Sequence, residues 1–236
     1  MTDAFLVTCE HGGNRIPAPY RRLFRGQGTL LDSHRGYDPG ALLMARALAA
    51  AFRAPLVTSN VSRLLVDLNR SIGHPQLFSA ATCGAPPALR AEIVERHYWP
   101  YRGEVERLVR RLVSRGRRLT HISSHSFTPK LGGNLRRADV GLLYDPSRRG
   151  EAGLCARWKA SLEEIAPALR VRRNYPYAGK GDGLASHLRE RFPPGAYVGV
   201  ELEVNQKIVF AGGRNWVALR GALIESLRSA TFTGES

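Results

Sequence analysis

The sequence predicts an α/β protein, one sheet covered by helices on both faces. Three observations predict it: short apolar runs alternate with helical periodicities, no internal repeat or low-complexity linker interrupts them, and 236 residues suit one large core. We therefore expect a single domain over residues 1–236. A chain that is 43% hydrophobic and 23% charged is of ordinary globular composition, which excludes disordered, collagen-like and coiled-coil classes.

Residues 4–9 (AFLVTC) form an apolar run that gives way to Glu10, His11, Gly12 and Gly13, the pattern of a buried strand emptying into a Gly-rich loop. Asp38 and Pro39 open GALLMARALAAAF, whose apolar positions recur at helical spacing, with Asp38 as N-cap and Pro39 at the first helical position. Pro55 ends that helix. PLVTS (55–59) reads as a strand, and SRLLVDLNR (62–70) alternates well enough to predict another, with Asp67 and Asn69 at its exit. From Pro86 to about Val113 the pattern predicts a helix interrupted near Pro100, because proline disfavours helical geometry in the residue before it.

LTHISSHSF (119–127) predicts a strand ending in His125 and Ser126, and GGNLRRADVGLLYD (132–145) a loop and a further strand. Glu151 to Ile165 reads as helix, Leu169 to Arg173 as a short strand and Asp182 to Arg191 as helix. AYVGVELEVNQ (196–206) is the last strand, and RNWVALRGALIESL closes the pattern as an amphipathic helix. In such sheets the ligand crevice lies beyond the strand ends, and His11, Asp67 to Arg70, His125 and Glu203 all fall at or just past ends of apolar runs.

The 35 basic residues outnumber the 20 acidic by 15, a balance often met in nucleic-acid binders. Only four of the 35 are lysines, however, and Arg110, Arg111, Arg115, Arg117 and Arg118 gather at one predicted helix end, which reads first as a solvated face. Nucleic acid is accordingly not the expected partner. Three scattered cysteines without a CxxC predict reduced thiols, not a disulfide framework or a cysteine-zinc cluster. With neither a signal-peptide pattern at the N-terminus nor ~20 consecutive apolar residues, the expectation is a cytoplasmic protein without a membrane span.

Two strand-end histidines beside small residues, His11 and His125, suit one metal ion, since neutral imidazole is a favoured zinc ligand. A third ligand would come from Glu10, Asn14 or Asp38. In DLNR (67–70) an acid, an amide and a guanidinium meet at one turn, with Arg63 four residues before Asp67. Arginine and asparagine there suit a substrate carboxylate, while Asp67 pairing with Arg70 to order the loop is the alternative. Glu201 and Glu203 share one strand face inside an apolar segment, and a buried carboxylate suits a general base unless it pairs with an arginine.

The order of motifs, CEHGGNRIP, HRGYDPGALLMARALA, SRLLVDLNRS, ISSHSF, ADVGLLYD, NYPYAGKGDGL and ELEVNQ, resembles the N-formylglutamate amidohydrolase family from about residue 5 to about residue 210. That family is similar in fold to the zinc carboxypeptidases and aspartoacylases, so the resemblance implies a three-layer α/β/α fold with a mixed, mostly parallel central sheet. It also implies one Zn2+ ion held by His11 and His125, with Glu203 as the catalytic glutamate and Arg63 polarising the scissile carbonyl. Asn69 and Arg70 would receive the carboxylate of a small N-acyl amino acid, and Arg137 or Asn174 a second carboxylate. Where aspartoacylases carry a glutamate three residues after the first histidine, this sequence has Asn14, so the third metal ligand stays open among Asn14, Glu10 and Asp38. The implied reaction is N-formyl-L-glutamate plus water to L-glutamate and formate. The competing readings are a basic binding protein without catalysis, taking nucleic acid or another acidic ligand, and a family member that has lost its metal.

Overall fold

The computed structural model describes residues 4–231. Its strands are β1 (Ala4–Cys9), β2 (Leu56–Thr58), β3 (Leu119–Phe127), β4 (Lys130–Leu131), β5 (Asn134–Leu135), β6 (Val140–Leu143), β7 (Val171–Arg173) and β8 (Tyr197–Asn205). Its helices are α1 (Gly28–Leu31), α2 (Ala41–Phe52), α3 (Ala80–Cys83), α4 (Pro87–Ile93), α5 (Trp99–Val113), α6 (Arg149–Ile165), α7 (Leu184–Arg191), α8 (Gln206–Ala211) and α9 (Gly213–Thr231). The central sheet has the order β2-β1-β3-β8-β6-β7 and is parallel except between β6 and β8. Strands β4 and β5 form a separate hairpin. The predicted mixed, mostly parallel sheet is the one observed.

Strand alternation divides the core between the two faces. Val7, Ile122, Val200 and Leu202 pack with Leu48 of α2, Trp158 of α6 and Leu223 of α9. Leu6, Leu119 and Tyr197 pack with Ile93 of α4, Val105 of α5, Leu188 of α7 and the 3-10 turn residues Tyr20 and Phe24. These are the helical layers on either side of the sheet. No helix among the described residues is long and apolar enough to cross a membrane.

All nine residues of β3 are buried although six of them are polar, so each polar group must find a partner. His121 lies between Thr8 Oγ1 (2.9 Å) and Tyr197 Oη (2.7 Å), and burial pushes its imidazole down to about 4. Ser124 and Ser126 donate to the carbonyls of Ala41 and Pro39. Several arginines similarly close backbone carbonyls: Arg148 reaches those of Arg189, Phe192 and Tyr197, and Arg157 that of Ala230. These arginines are thus fold architecture.

Three sequence expectations need correction. Residues 62–70 are a run of turns, not a strand. Leu64, Leu65, Val66 and Leu68 are all buried there, and the backbone is satisfied from elsewhere, Asp67 N–H donating to Leu77 and the Ser79 and Thr82 hydroxyls to the Leu64 carbonyl. Asp38 is not a helix cap: α2 starts at Ala41 after Gly40, and the Asp38 carboxylate turns away to two histidines. Near Pro100 the helix does not break. Val94–Tyr98 form a π-helical turn between α4 and α5, which accommodates the missing proline N–H without ending the rod.

Candidate active site

Strands β1, β2, β3 and β8 run parallel, so their C-terminal ends meet at one edge, and a cleft of about 760 Å³ opens there. Its walls include His11 from the end of β1, Asp38 from the following loop, Arg63, Asp67, Asn69 and Arg70 from the turns after β2, His125 from β3, and Glu201 and Glu203 from β8. The Gly12-Gly13 pair lets the chain leave β1 against its neighbour: a Cβ at Gly12 would sit 2.8 Å from the Ser59 carbonyl oxygen and one at Gly13 2.7 Å from that of Asn60.

His11 and His125 both turn Nδ1 to a single atom, Oδ2 of Asp38, at 3.4 and 2.9 Å. Their outer nitrogens also meet carboxylates, His11 Nε2 at 2.7 Å from Asp67 Oδ1 and His125 Nε2 at 3.0 Å from Glu10 Oε2. His11, Asp38 and His125 each offer one ligand atom, and these lie within 4.8 Å of one another, which makes the trio a group able to hold a metal ion. Two imidazoles and a carboxylate, with outer nitrogens engaged by further carboxylates, are the donor chemistry of a zinc-type site.

Electrostatics bind the cluster together. Burial works to raise Asp38, but the charges and hydrogen bonds of His11 and His125 outweigh it and hold the carboxyl well below the usual range. Asp67 is likewise held down against burial, mainly by Arg63 and His11. Burial disfavours the charge on His125, yet hydrogen bonds to Asp38 and Glu10 raise it well above an ordinary imidazole. Arg63 donates to Asp67 Oδ2 through Nε (3.2 Å) and Nη2 (2.8 Å) and reaches Asp38 Oδ1 at 3.4 Å.

Glu203 differs from these paired acids. It is 5% exposed, its Oε2 is buried without a hydrogen-bond partner, and burial pushes its carboxyl up to about 8. Glu201, two residues back on the same strand face, is also raised by burial, but it is not fully enclosed.

The DLNR turn is held from behind by α5 and the preceding π turn: Tyr98 Oη donates to the Arg70 carbonyl and Arg102 Nη1 to that of Leu68. Asn69 accepts the Leu184 N–H on Oδ1, and Arg70 donates through Nη1 to the Asp182 carbonyl while its Nε has no partner.

The structure therefore brings together His11, His125, Asp38, Arg63, Asn69, Arg70 and Glu203. Four other sequence candidates lie off the cleft wall, the first of them Glu10, which is buried against the outer nitrogen of His125. Asn14 donates to Asp32 Oδ1 at 2.7 Å and lies off the cleft wall. Asn174 accepts the N–H groups of Tyr144 and Gly179, which fixes its own loop. Arg137 is exposed and also off the cleft wall. Sequence reasoning missed Asp67 as the partner of His11, because its nearness to Arg63 and Arg70 read as a local ion pair. It also passed over His34 and Arg35, which line the cleft ahead of Asp38 and were embedded in what read as the approach to a helix.

The family model described as N-formylglutamate amidohydrolase matches residues 3–210. Among solved structures, the gene product Atu2144 of Agrobacterium tumefaciens is similar at 31% identity, with 96% of this chain and 89% of that one covered and a TM-score of 0.82. The N-formylglutamate amidohydrolase of Ralstonia eutropha JMP134 shares the fold at 19% identity, with 98% of this chain and 94% of that one covered and a TM-score of 0.69. No curated protein matches the sequence.

Proposed function

Because the chain belongs to the N-formylglutamate amidohydrolase family, and is an amidohydrolase on that ground, we propose that it hydrolyses the amide of a small, carboxylate-bearing N-acyl amino acid, with N-formyl-L-glutamate as the reference substrate. The observation that carries this reading is the meeting of His11, Asp38 and His125 beside a buried, unpartnered Glu203 in one cleft.

His11, Asp38 and His125 would hold one divalent ion, zinc being the best match to two imidazoles and a carboxylate. Such an ion supplies Lewis acidity and an acidified water. Glu203 takes the proton of the attacking water and can return it to the leaving nitrogen. Its high proton affinity reflects apolar burial and the nearby Asp38 and Glu201 charges, and a dication at the trio would draw it down into the range of a working base. Arg63, fixed by Asp67 and Asp38, presents positive charge for the developing oxyanion.

Arg70 and Asn69 anchor the substrate carboxylate, Arg70 through the part of its guanidinium not given to Asp182 and Asn69 through its amide nitrogen. With Arg137 and Asn174 off the cleft wall, Arg35 is the arginine placed to take a second carboxylate. The test is formate or carboxylate release from a panel of N-acyl amino acids, with and without a chelator. Chelator-sensitive turnover of an N-acyl dicarboxylate is expected, and no turnover of any panel member overturns the reading.

A further inference from the structure

Glu10 has no exposed surface and does not line the cleft, and nothing in the chemistry above uses it. A buried carboxylate is costly unless its charge is employed, and here both oxygens are engaged by polar groups. Oε1 accepts from Tyr101 Oη at 2.8 Å, while Oε2 accepts from Ser123 Oγ at 2.5 Å and lies 3.0 Å from His125 Nε2. The end of β1 and the alternation of β3 create the arrangement. Ser123 and His125 are two apart on β3 and share a face, and the two residues that follow β1 meet the His125 ring at different places, Glu10 at Nε2 and His11 ring to ring.

We propose that Glu10, braced by Tyr101 and Ser123, is a positioning residue that keeps the proton of His125 on Nε2 and turns Nδ1 to the metal site. Which imidazole nitrogen can ligate is set by the partner of the other. An ionised carboxylate only accepts, so Nε2 must donate, and the lone pair left for a cation is on Nδ1, 2.9 Å from Asp38 Oδ2. Ser123 alone would not decide this, because a hydroxyl can donate or accept. With its hydrogen given to Glu10, its oxygen too can only accept from Nε2, at 2.9 Å. Asp67 stands to His11 as Glu10 stands to His125, but Asp67 also holds Arg63 and the Asn69 N–H. Of the groups that Glu10 contacts, His125 lines the cleft and Tyr101 and Ser123 do not, so its effect is read on metal affinity rather than on turnover.

The role of Glu10 presupposes that the trio holds a metal, and the experiment separates the two. The zinc dissociation constant of the full chain is measured by chelator competition, and the cobalt-substituted protein is recorded in the visible region. For Glu10→Gln the zinc dissociation constant is expected to rise about 10–100-fold with an altered cobalt spectrum. Tyr101→Phe and Ser123→Ala, which each remove one hydrogen bond to Glu10, are expected to give smaller rises in the same direction. Val105→Ala loosens the same α5 helix without touching Glu10 and should leave both readouts unchanged. If Glu10→Gln does not fold, the two flanking variants decide alone. Unchanged zinc affinity in the folded variants, or an equal loss in Val105→Ala, overturns the assignment. A wild-type chain that takes up no metal overturns the metal reading with it.

Discussion

The imidazoles of His11 and His125 lie 5.1 Å apart between ring centroids, inclined at 58°, and point the same nitrogen at one oxygen of Asp38. That shared oxygen makes Asp38 the natural third donor. Asp38→Ala should therefore strip most of the metal from purified protein while Asn14→Ala leaves it in place, as read by elemental analysis. Full metal content in Asp38→Ala would remove it from the ligand set.

Glu203 and Glu201 separate by environment. Glu203→Gln keeps size and removes the proton acceptor, so turnover should fall by roughly 10²–10⁴ with metal retained. Glu201→Gln, at a partly open position, should cost far less in rate. The reverse ranking in folded, metal-loaded variants would transfer the general-base role to Glu201.

Arg70→Lys preserves charge but loses the planar fork, so KM should rise much more than kcat falls. Wild-type enzyme should also hydrolyse an α-amidated substrate poorly. Equal kcat/KM for acid and amide would show that Arg70 does not read the carboxylate.

The proton affinity of Glu203 has a stability consequence in chelator-treated protein. In the folded chain it holds its proton up to about 8, against 4.5 ordinarily, so the folded state binds more protons between those values and stability is lost as pH rises through them. Below pH 4.5 the contribution is fully present, since both states are protonated there. The loss is up to about 1.4 kcal/mol per pH unit across the window. Glu203→Gln should abolish this slope, and chemical denaturation at pH 5 and pH 8 measures it; identical slopes in variant and wild type would contradict the burial argument.

Away from the cleft, Arg189 is buried against Glu151 with Nε–Oε1 at 3.0 Å and also closes the carbonyls of Gly179 and Gly199. Arg189→Met leaves the Glu151 charge buried without its partner and should destabilise by about 3–5 kcal/mol. Thermal or denaturant unfolding checks it, and a change below about 1 kcal/mol would mean the site relaxes around Glu151.

The strands that lead to His11 and Glu203 could be read from sequence because AFLVTC and YVGVELEV are largely apolar, while β3, six of whose nine residues are polar, is read from its β-branched and serine-rich run ending in His125. The residues 62–70 could not. Their alternation imitates a strand, while the hydrogen-bond partners that fold them into turns, Arg15, Gly36, Leu77 and Ser79, all lie outside the segment. Asp38 was misplaced for a related reason: Asp-Pro before a helix is a local capping signal, and the histidines that draw its carboxylate off are distant in sequence. Asn14 shows the limit of motif spacing, since a position three residues after a ligand fixes no direction once the chain turns at Gly12 and Gly13.

The π turn at Val94–Tyr98 is one residue wider than an α-helical turn, and the groups that grip the DLNR turn follow directly from it. Removing a single residue there would take up the bulge and leave α4 and α5 close to their present phase, whereas removing one from the regular winding of α5 would turn everything beyond the cut by about 100°. Tyr98 and Arg102 stand four residues apart on one face of that rod, so its winding sets the phase in which both meet the turn that carries Asn69 and Arg70. The proposed substrate-anchoring pair is in this sense calibrated by helical phase in a segment more than twenty residues downstream, so a one-residue insertion there that no further bulge absorbed would be a spatial frameshift in a reading frame that is otherwise intact.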